Sequence, residues 1–320
     1  MRPTWPPLLM TGLQGMAGGI FVTLAVLGWA LPAHALSLDT WRWLTLAGLA
    51  LVAGAGLSSI FHMHRMAAGR FVMRRLSTSW LSREALTTGI LGAAAAVTAL
   101  WPLVSPVGPS WYVTTVTATA VISLGAMAVT ALIYATIPAM LSWHTPLTVL
   151  SMMGAGLVSG AFLVRAGWDL TPGDPGASVG FAAALWAALV LWGSVKLLQW
   201  HVFRDARARV RAETGLGLPR GPHRLRDTGT TRAPYRTQPQ VWPLLPASQR
   251  RAVGAALVIS FGLLGLLAAL RDPTVGVFGA VVAIWTVYVE RWMFFADATH
   301  SSRIWFPSTP EPASTRPSSS

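Results

Sequence analysis

Eight apolar runs of membrane-spanning length constrain this 320-residue chain more than any other feature. A helix needs about 20 apolar residues to cross the hydrocarbon of a bilayer, and strands of membrane barrels are shorter and alternate in polarity. These runs are long and continuous, so the sequence predicts an all-α fold, a polytopic membrane helical bundle with eight transmembrane helices. The predicted spans are Leu8–Leu31, Trp43–Phe61, Ala85–Leu103, Tyr112–Ile137, Leu147–Arg165, Val179–Trp200, Ala252–Leu270 and Val275–Phe294.

The composition agrees with an integral membrane protein. Charged residues make up 11% of the chain, whereas soluble domains carry about a quarter. Cysteine is absent, which excludes disulfides, thiol catalysis and iron–sulfur ligation by this chain.

The domain organisation follows from the same runs. Residues 1–306 are predicted to form one eight-helix membrane domain, with an Arg-rich loop at about 201–251. Residues 307–320 are rich in Pro, Ser and Thr and are predicted to be a disordered tail. The first run ends near Ala33-His34-Ala35, which resembles a signal-peptide cleavage site, but the run exceeds the usual 7–15 apolar residues. We expect the first helix to be retained.

The basic residues predict the orientation. If both termini and the even-numbered loops share one side, 21 of the 24 basic residues lie there, and only Arg42, Arg165 and Arg271 lie opposite. The positive-inside rule makes the basic side cytoplasmic. We therefore expect a multi-pass protein of a bacterial cytoplasmic (inner) membrane. In so apolar a chain the excess of arginine indicates loops beside lipid, and no nucleic-acid partner is expected.

A cluster of polar residues between the second and third spans needs an explanation. It contains His62, His64, Arg65, Arg70, Ser82 and Glu84. One interpretation is an interfacial loop in which Ser82 is an N-cap and Glu84 faces the helix dipole. The other is a proton-coupled pocket, with His62 as hydrogen-bonding partner and Glu84 as proton acceptor.

Other polar groups lie inside or beside the spans. Gln14 falls in the first span, and His144 falls between the fourth and fifth. Glu290 and Arg291 are adjacent in the eighth span, where neighbours on a helix do not face each other, so each is expected to pair elsewhere. The histidines lie at helix ends rather than as a facing pair, so neither haem nor a metal site is predicted.

Four stretches resemble the membrane anchor subunits of dimethyl sulfoxide reductase. They are Gln14–Gly19, Ser59–His62 followed by Ser79–Glu84, Ile133–Pro138 with Trp143–Pro146, and Glu290–Phe295. The resemblance implies an anchor that binds and oxidises menaquinol and holds no haem or iron–sulfur cluster itself. It implies two partners, a four-cluster, ferredoxin-like iron–sulfur subunit that receives the electrons and a molybdopterin catalytic subunit.

The resemblance also implies site residues. The family's quinol-site histidine falls on His62, and its carboxylate falls on Glu84. The chain departs from the family after His62, where Met63, His64 and Met66 replace the usual Leu-Gly and proline. His64 could therefore assist or replace His62. The catalytic subunit selects the terminal acceptor, so this chain does not identify it.

Two further functional classes remain. A secondary transporter would have broken helices near the midplane of the bilayer, whereas the ionisable groups here lie at helix ends. A purely structural anchor would use the polar cluster only as a docking surface.

Overall fold

Eight α-helices form the molecule in a computed structural model that describes residues 3–31, 36–62, 66–171, 179–209, 219, 241–270 and 272–301. All eight are long and apolar enough to cross a membrane, which confirms the predicted all-α bundle. They are α1 (Trp5–Ala30), α2 (Leu38–His62), α3 (Trp80–Val104), α4 (Pro109–Ala135), α5 (Pro146–Leu170), α6 (Val179–Arg209), α7 (Ala247–Ala269) and α8 (Pro273–Ala296). Two 3₁₀ segments, Met66–Arg75 and Trp242–Leu244, precede α3 and α7. Most of the Arg-rich loop and the tail from 307 lie outside the described residues.

The helices begin at polar and proline-rich positions that hydropathy alone does not register. Proline occupies the first turn of α1, α4, α5 and α8, where its missing N–H costs nothing. Asp272 caps α8, its carboxylate accepting a 2.8 Å hydrogen bond from the Thr274 amide. Helix α3 begins at Trp80 rather than at the predicted Ala85, because its first turn includes the polar residues Ser82 and Arg83.

Neighbouring helices run antiparallel, so α1 begins and α8 ends at the same end of the bundle, here called the terminal end. Ser58 near the end of α2 donates a 2.8 Å hydrogen bond to the carbonyl of Pro6 in α1. The Trp143 indole, just before α5, donates to the carbonyl of Phe294 in α8. These bonds join the terminal end of the bundle.

Helix α1 lies at the centre and crosses α5 at very short range. A Cβ at Gly19 would lie 2.0 Å from the carbonyl oxygen of Gly156, and one at Gly160 would lie 2.2 Å from the carbonyl carbon of Gly19. Gly15 and Gly19 in α1, and Gly156 and Gly160 in α5, are each spaced as Gly-x-x-x-Gly, which lets two membrane helices approach closely. The α1–α5 crossing is therefore built on backbone contact.

Candidate functional site

A cavity of about 1410 Å³ lies at the terminal end of the bundle. Pockets for drug-sized ligands usually measure about 300–1,000 Å³, so this cavity has room for a larger molecule. Residues of α1, α2, the Met66–Arg75 segment, α3, α4 and the end of α8 line it. Its polar or charged lining residues are Ser59, Arg74, Arg75, Ser79, Ser82, Glu84, Thr88 and Tyr134.

Glu84 is the buried carboxyl group of this cavity. It is the fifth residue of α3 and is 5% exposed. Its side chain is hydrogen-bonded to Thr130 of α4. A buried carboxyl group is costly unless it is hydrogen-bonded, so this contact with α4 stabilises its position.

Gln14 of α1 connects the hydroxyl groups around Glu84. Its amide nitrogen donates to the Thr130 hydroxyl at 3.2 Å, and its amide oxygen accepts from Thr88 at 3.4 Å. Because Thr130 accepts from Gln14, its own proton is available to the Glu84 carboxylate. Gln14 is thus placed behind Glu84, where it orients the hydroxyls that flank the carboxyl group.

The start of α3 differs from the prediction that Ser82 is its N-cap. Ser79 is the N-cap, and its hydroxyl accepts a 3.3 Å hydrogen bond from the Ser82 amide. The helix begins one turn earlier than hydropathy indicates, so Ser82 lies inside the first turn and lines the cavity. Glu84 consequently lies beyond the capping positions.

Two exposed arginines of the Met66–Arg75 segment, Arg74 and Arg75, line the mouth of the cavity. Arg83 has a different role. Its guanidinium group lies 4.3 Å from the centroid of the Trp80 ring and donates to the carbonyls of Leu76 and Ser77. Arg83 therefore fastens the turn between the 3₁₀ segment and α3, next to Arg74 and Arg75.

The structure describes only part of the predicted histidine and arginine cluster. His62 ends α2, one turn after Ser59 of the cavity wall. Its side chain and that of Arg70 lie outside the described part of the chain, as do His64 and Arg65 entirely. His144 is exposed and lies away from the cavity lining, its Nδ1 donating to the Ala135 carbonyl at 2.8 Å.

Several site residues were not among those singled out from the sequence. Thr88 follows Glu84 by four residues, and this spacing, which places two residues on one helix face, could have identified it. Ser59 and Tyr134 lie within motifs that carry the family resemblance. Thr130 had no comparable signal, because its contact with Glu84 depends on how α3 packs against α4.

A buried cluster of ionic groups lies deeper in the bundle, between α5, α6 and α8. Lys196 Nζ lies 2.5 Å from Glu290 Oε1, and Arg291 Nη1 lies 2.8 Å from Glu290 Oε2. Arg291 also donates to the Met152 carbonyl at 3.1 Å. Glu290 and Arg291 each have a partner on another helix, as expected. The expectation that they do not face each other is wrong, because both side chains bend toward each other in the buried, apolar interior.

The site suits a ligand with hydroxyl or carbonyl oxygens and a large apolar part. The Glu84 carboxylate can accept a proton, and the neighbouring hydroxyls can donate or accept hydrogen bonds. Within the described ranges, no three His, Cys, Asp or Glu residues converge as they do in metal sites.

Comparison with known proteins gives two matches. The sequence model of the family described as "DMSO reductase anchor subunit (DmsC)" matches residues 3–204. A sulfite dehydrogenase subunit of Allochromatium vinosum is 28% identical over 330 aligned positions, which cover 96% of this chain and 99% of that protein. The second match extends through α7 and α8, beyond the end of the first.

Proposed function

The chain belongs to the dimethyl sulfoxide reductase anchor subunit family, and from this membership we propose that it binds and oxidises menaquinol in the cavity beside Glu84. It is an integral membrane anchor subunit of an oxidoreductase complex. The observation that carries the proposal is a large cavity at the terminal end of the bundle, lined by five helices, with one buried carboxyl group among hydroxyls.

The proposed partners are those that the family membership implies, and the chemistry of the site is compatible with them. Oxidation of a quinol releases two electrons and two protons, and this cysteine-free chain offers no thiolate to hold an iron–sulfur cluster. We propose that the electrons pass to a four-cluster iron–sulfur subunit and from there to a molybdopterin catalytic subunit.

We propose that Glu84 accepts and releases a proton of the quinol and that its neighbours bind the ligand. The Glu84 carboxylate accepts a proton from one quinol hydroxyl, while Ser59 and Thr88 hydrogen-bond the ligand's oxygens. Glu84 then releases the proton toward water at the mouth beside Arg74 and Arg75. The second proton goes to His62, which ends α2 one turn beyond Ser59, or directly to water.

A second candidate is the same site working in the opposite direction. Nearly the whole chain is similar to a sulfite dehydrogenase subunit, and a dehydrogenase removes electrons from its substrate. In that case a quinone would take up two electrons and two protons in the cavity, and Glu84 would donate a proton instead of accepting it. Turnover measured in both directions with the assembled complex distinguishes the two.

Replacement of the carboxyl group tests the proposal. Glu84→Gln in the assembled complex keeps the shape of the side chain but cannot accept a proton. We expect quinol-dependent turnover to fall by about 100-fold or more, as for loss of a general base. Turnover with an artificial dye that supplies electrons directly to the soluble subunits should remain near that of the wild type.

The matched control is Asp39→Asn, which removes an exposed carboxylate at the opposite end of the bundle. It should leave both activities unchanged. His62→Ala is expected to lower quinol-dependent turnover as Glu84→Gln does. If only His64→Ala lowers this turnover, the second proton acceptor is His64. Near-normal quinol oxidation by Glu84→Gln would refute the proposed role of the carboxyl group.

A further inference from the structure

The cavity extends well beyond the groups that would bind a quinol ring. On α2 its lining runs from Ser59 to Leu49, and on α3 from Leu81 to Gly92. Ten residues of helix correspond to about 15 Å. The polar lining groups of these two helices extend from the terminal end only as far as Thr88, and the other residues that line this length are Leu49, Val52, Ala53, Gly56, Gly89 and Gly92. This part accommodates an apolar chain.

The two helices separate along part of this length. A Cβ at Gly92 would lie 3.8 Å from Val52 Cγ1, so α2 and α3 touch there. A Cβ at Gly56 or at Gly89 would meet no atom within 4 Å. The space between Gly56 and Gly89, here called the lateral gap, therefore opens between two helices that are in contact one turn deeper.

The lateral gap faces the outside of the bundle. Gly89 is exposed, and so are its cavity-lining neighbours Ala53 and Ala85. The flanking leucines, Leu57 and Leu81, are 60% and 58% exposed. Apolar side chains exposed on a membrane-spanning helix face the hydrocarbon, so the gap connects the cavity with the bilayer.

We propose that the lateral gap is the passage through which the quinol enters from the bilayer and in which its isoprenoid tail lies while the ring is bound. This inference rests on the proposed function. Approach through the mouth at Arg74 and Arg75 would expose the tail to water at about 25 cal/mol per Å² of apolar surface. Approach between α2 and α3 keeps the tail in hydrocarbon throughout. The absence of side chains at Gly56 and Gly89 leaves the necessary width.

Closing the gap with leucine tests the passage. Gly56→Leu and Gly89→Leu are introduced into the assembled complex in lipid vesicles. The two substrates are a naphthoquinol with a long isoprenoid tail and the same ring without a tail. We expect kcat/KM for the long-tailed substrate to fall about tenfold or more, the cost of inserting a side chain into a filled site. The tail-less substrate, which can also use the aqueous mouth, should be much less affected.

The control is Gly262→Leu in α7. Gly262 is also exposed, and a Cβ there would also meet no atom within 4 Å, but it lies outside the cavity lining. This variant should match the wild type with both substrates. Dye-dependent turnover measured on every variant reports whether the complex has assembled. If the complex with Gly89→Leu does not assemble, Gly89→Ala provides a smaller obstruction.

The possible results separate the passage from the proposed function. Unchanged kcat/KM for the long-tailed quinol, or an equal loss with both substrates, would overturn the passage while leaving quinol oxidation intact. Co-purification of a phospholipid that is lost only in Gly56→Leu and Gly89→Leu, with normal quinol turnover, would assign the gap to an acyl chain instead. A wild-type complex that oxidises neither quinol would refute the proposed function itself.

Discussion

At the scale of single residues, the buried ionic cluster holds more cationic than anionic groups. Lys196 and Arg291 carry two positive charges around the one carboxylate of Glu290, and all three are at most 3% exposed. Removing one member of a buried ion pair leaves an uncompensated charge, which costs about 3–5 kcal/mol. The cost therefore depends on which member is removed.

Glu290→Gln should destabilise the protein more than Lys196→Met. The first variant leaves two adjacent cations without an anion, whereas the second leaves the neutral Glu290–Arg291 pair. We expect a loss of about 3 kcal/mol or more for Glu290→Gln, a smaller loss for Lys196→Met, and partial recovery in the double variant. Thermal unfolding in detergent measures all three, and an equal or larger loss in Lys196→Met would contradict this account.

Residue-scale features were also the least accessible to sequence analysis. Glu84 could be selected because a carboxyl group near a membrane span is costly, and Gln14 for the same reason. Their linkage through Thr130 could not be predicted, since Gln14 and Thr130 are 116 positions apart. The same holds for Lys196 and Glu290, which are 94 positions apart. A single sequence does not state which helices are neighbours.

At the scale of elements, the number, type and order of the helices could be predicted, because each apolar run must satisfy its backbone hydrogen bonds internally in lipid. The predicted ends of the helices were less accurate. Helix α3 begins at Trp80 and α7 at Ala247, each five residues before the predicted start, because polar first turns extend beyond the hydrocarbon. Helix α6 continues to Arg209, nine residues beyond the predicted end of its span at Trp200 and into the predicted Arg-rich loop.

The glycine contact between α1 and α5 leads to a prediction about assembly. Gly160→Leu would place side-chain atoms where the backbone of Gly19 lies, so the two helices must separate. We expect a loss of more than about 3 kcal/mol, beyond the usual cost of overpacking. Gly125→Leu in α4 is the control, since a Cβ there meets no atom within 4 Å.

The yield and melting temperature of each purified variant measure this effect. Gly125→Leu should match the wild type, while Gly160→Leu should be recovered in low yield or melt at a much lower temperature. Equal stability of the two variants would show that the α1–α5 crossing does not depend on backbone contact.

At the scale of the whole molecule, the terminal end holds the cavity, the start of α1, the end of α8 and most of the described arginines. Three of the residues counted for orientation lie inside the bundle instead of in loops, namely Arg165, Lys196 and Arg291. Arg165 donates to the carbonyls of Leu267 and Ala268 at the end of α7, a favourable position for a cation at a helix C-terminus. The prediction that the terminal end faces the cytoplasm therefore depends on the remaining basic residues, most of which belong to the loops and termini predicted for that side.

The sidedness has a consequence for the proposed chemistry. With the terminal end in the cytoplasm, protons released from Glu84 would leave through the Arg74–Arg75 mouth on the same side. Quinol oxidation would then move no proton across the membrane. The other orientation would release those protons outside.

The most direct test of the central claim is to locate the bound quinone by photolabelling. A photoreactive menaquinone analogue is added to the complex in vesicles, and the labelled peptides are identified by mass spectrometry with and without excess unlabelled menaquinol. We predict label on α2, α3 and the Met66–Arg75 segment, removed by competition and reduced in Gly89→Leu. Competable label confined to other helices, such as α6 and α7, would contradict a quinol site beside Glu84.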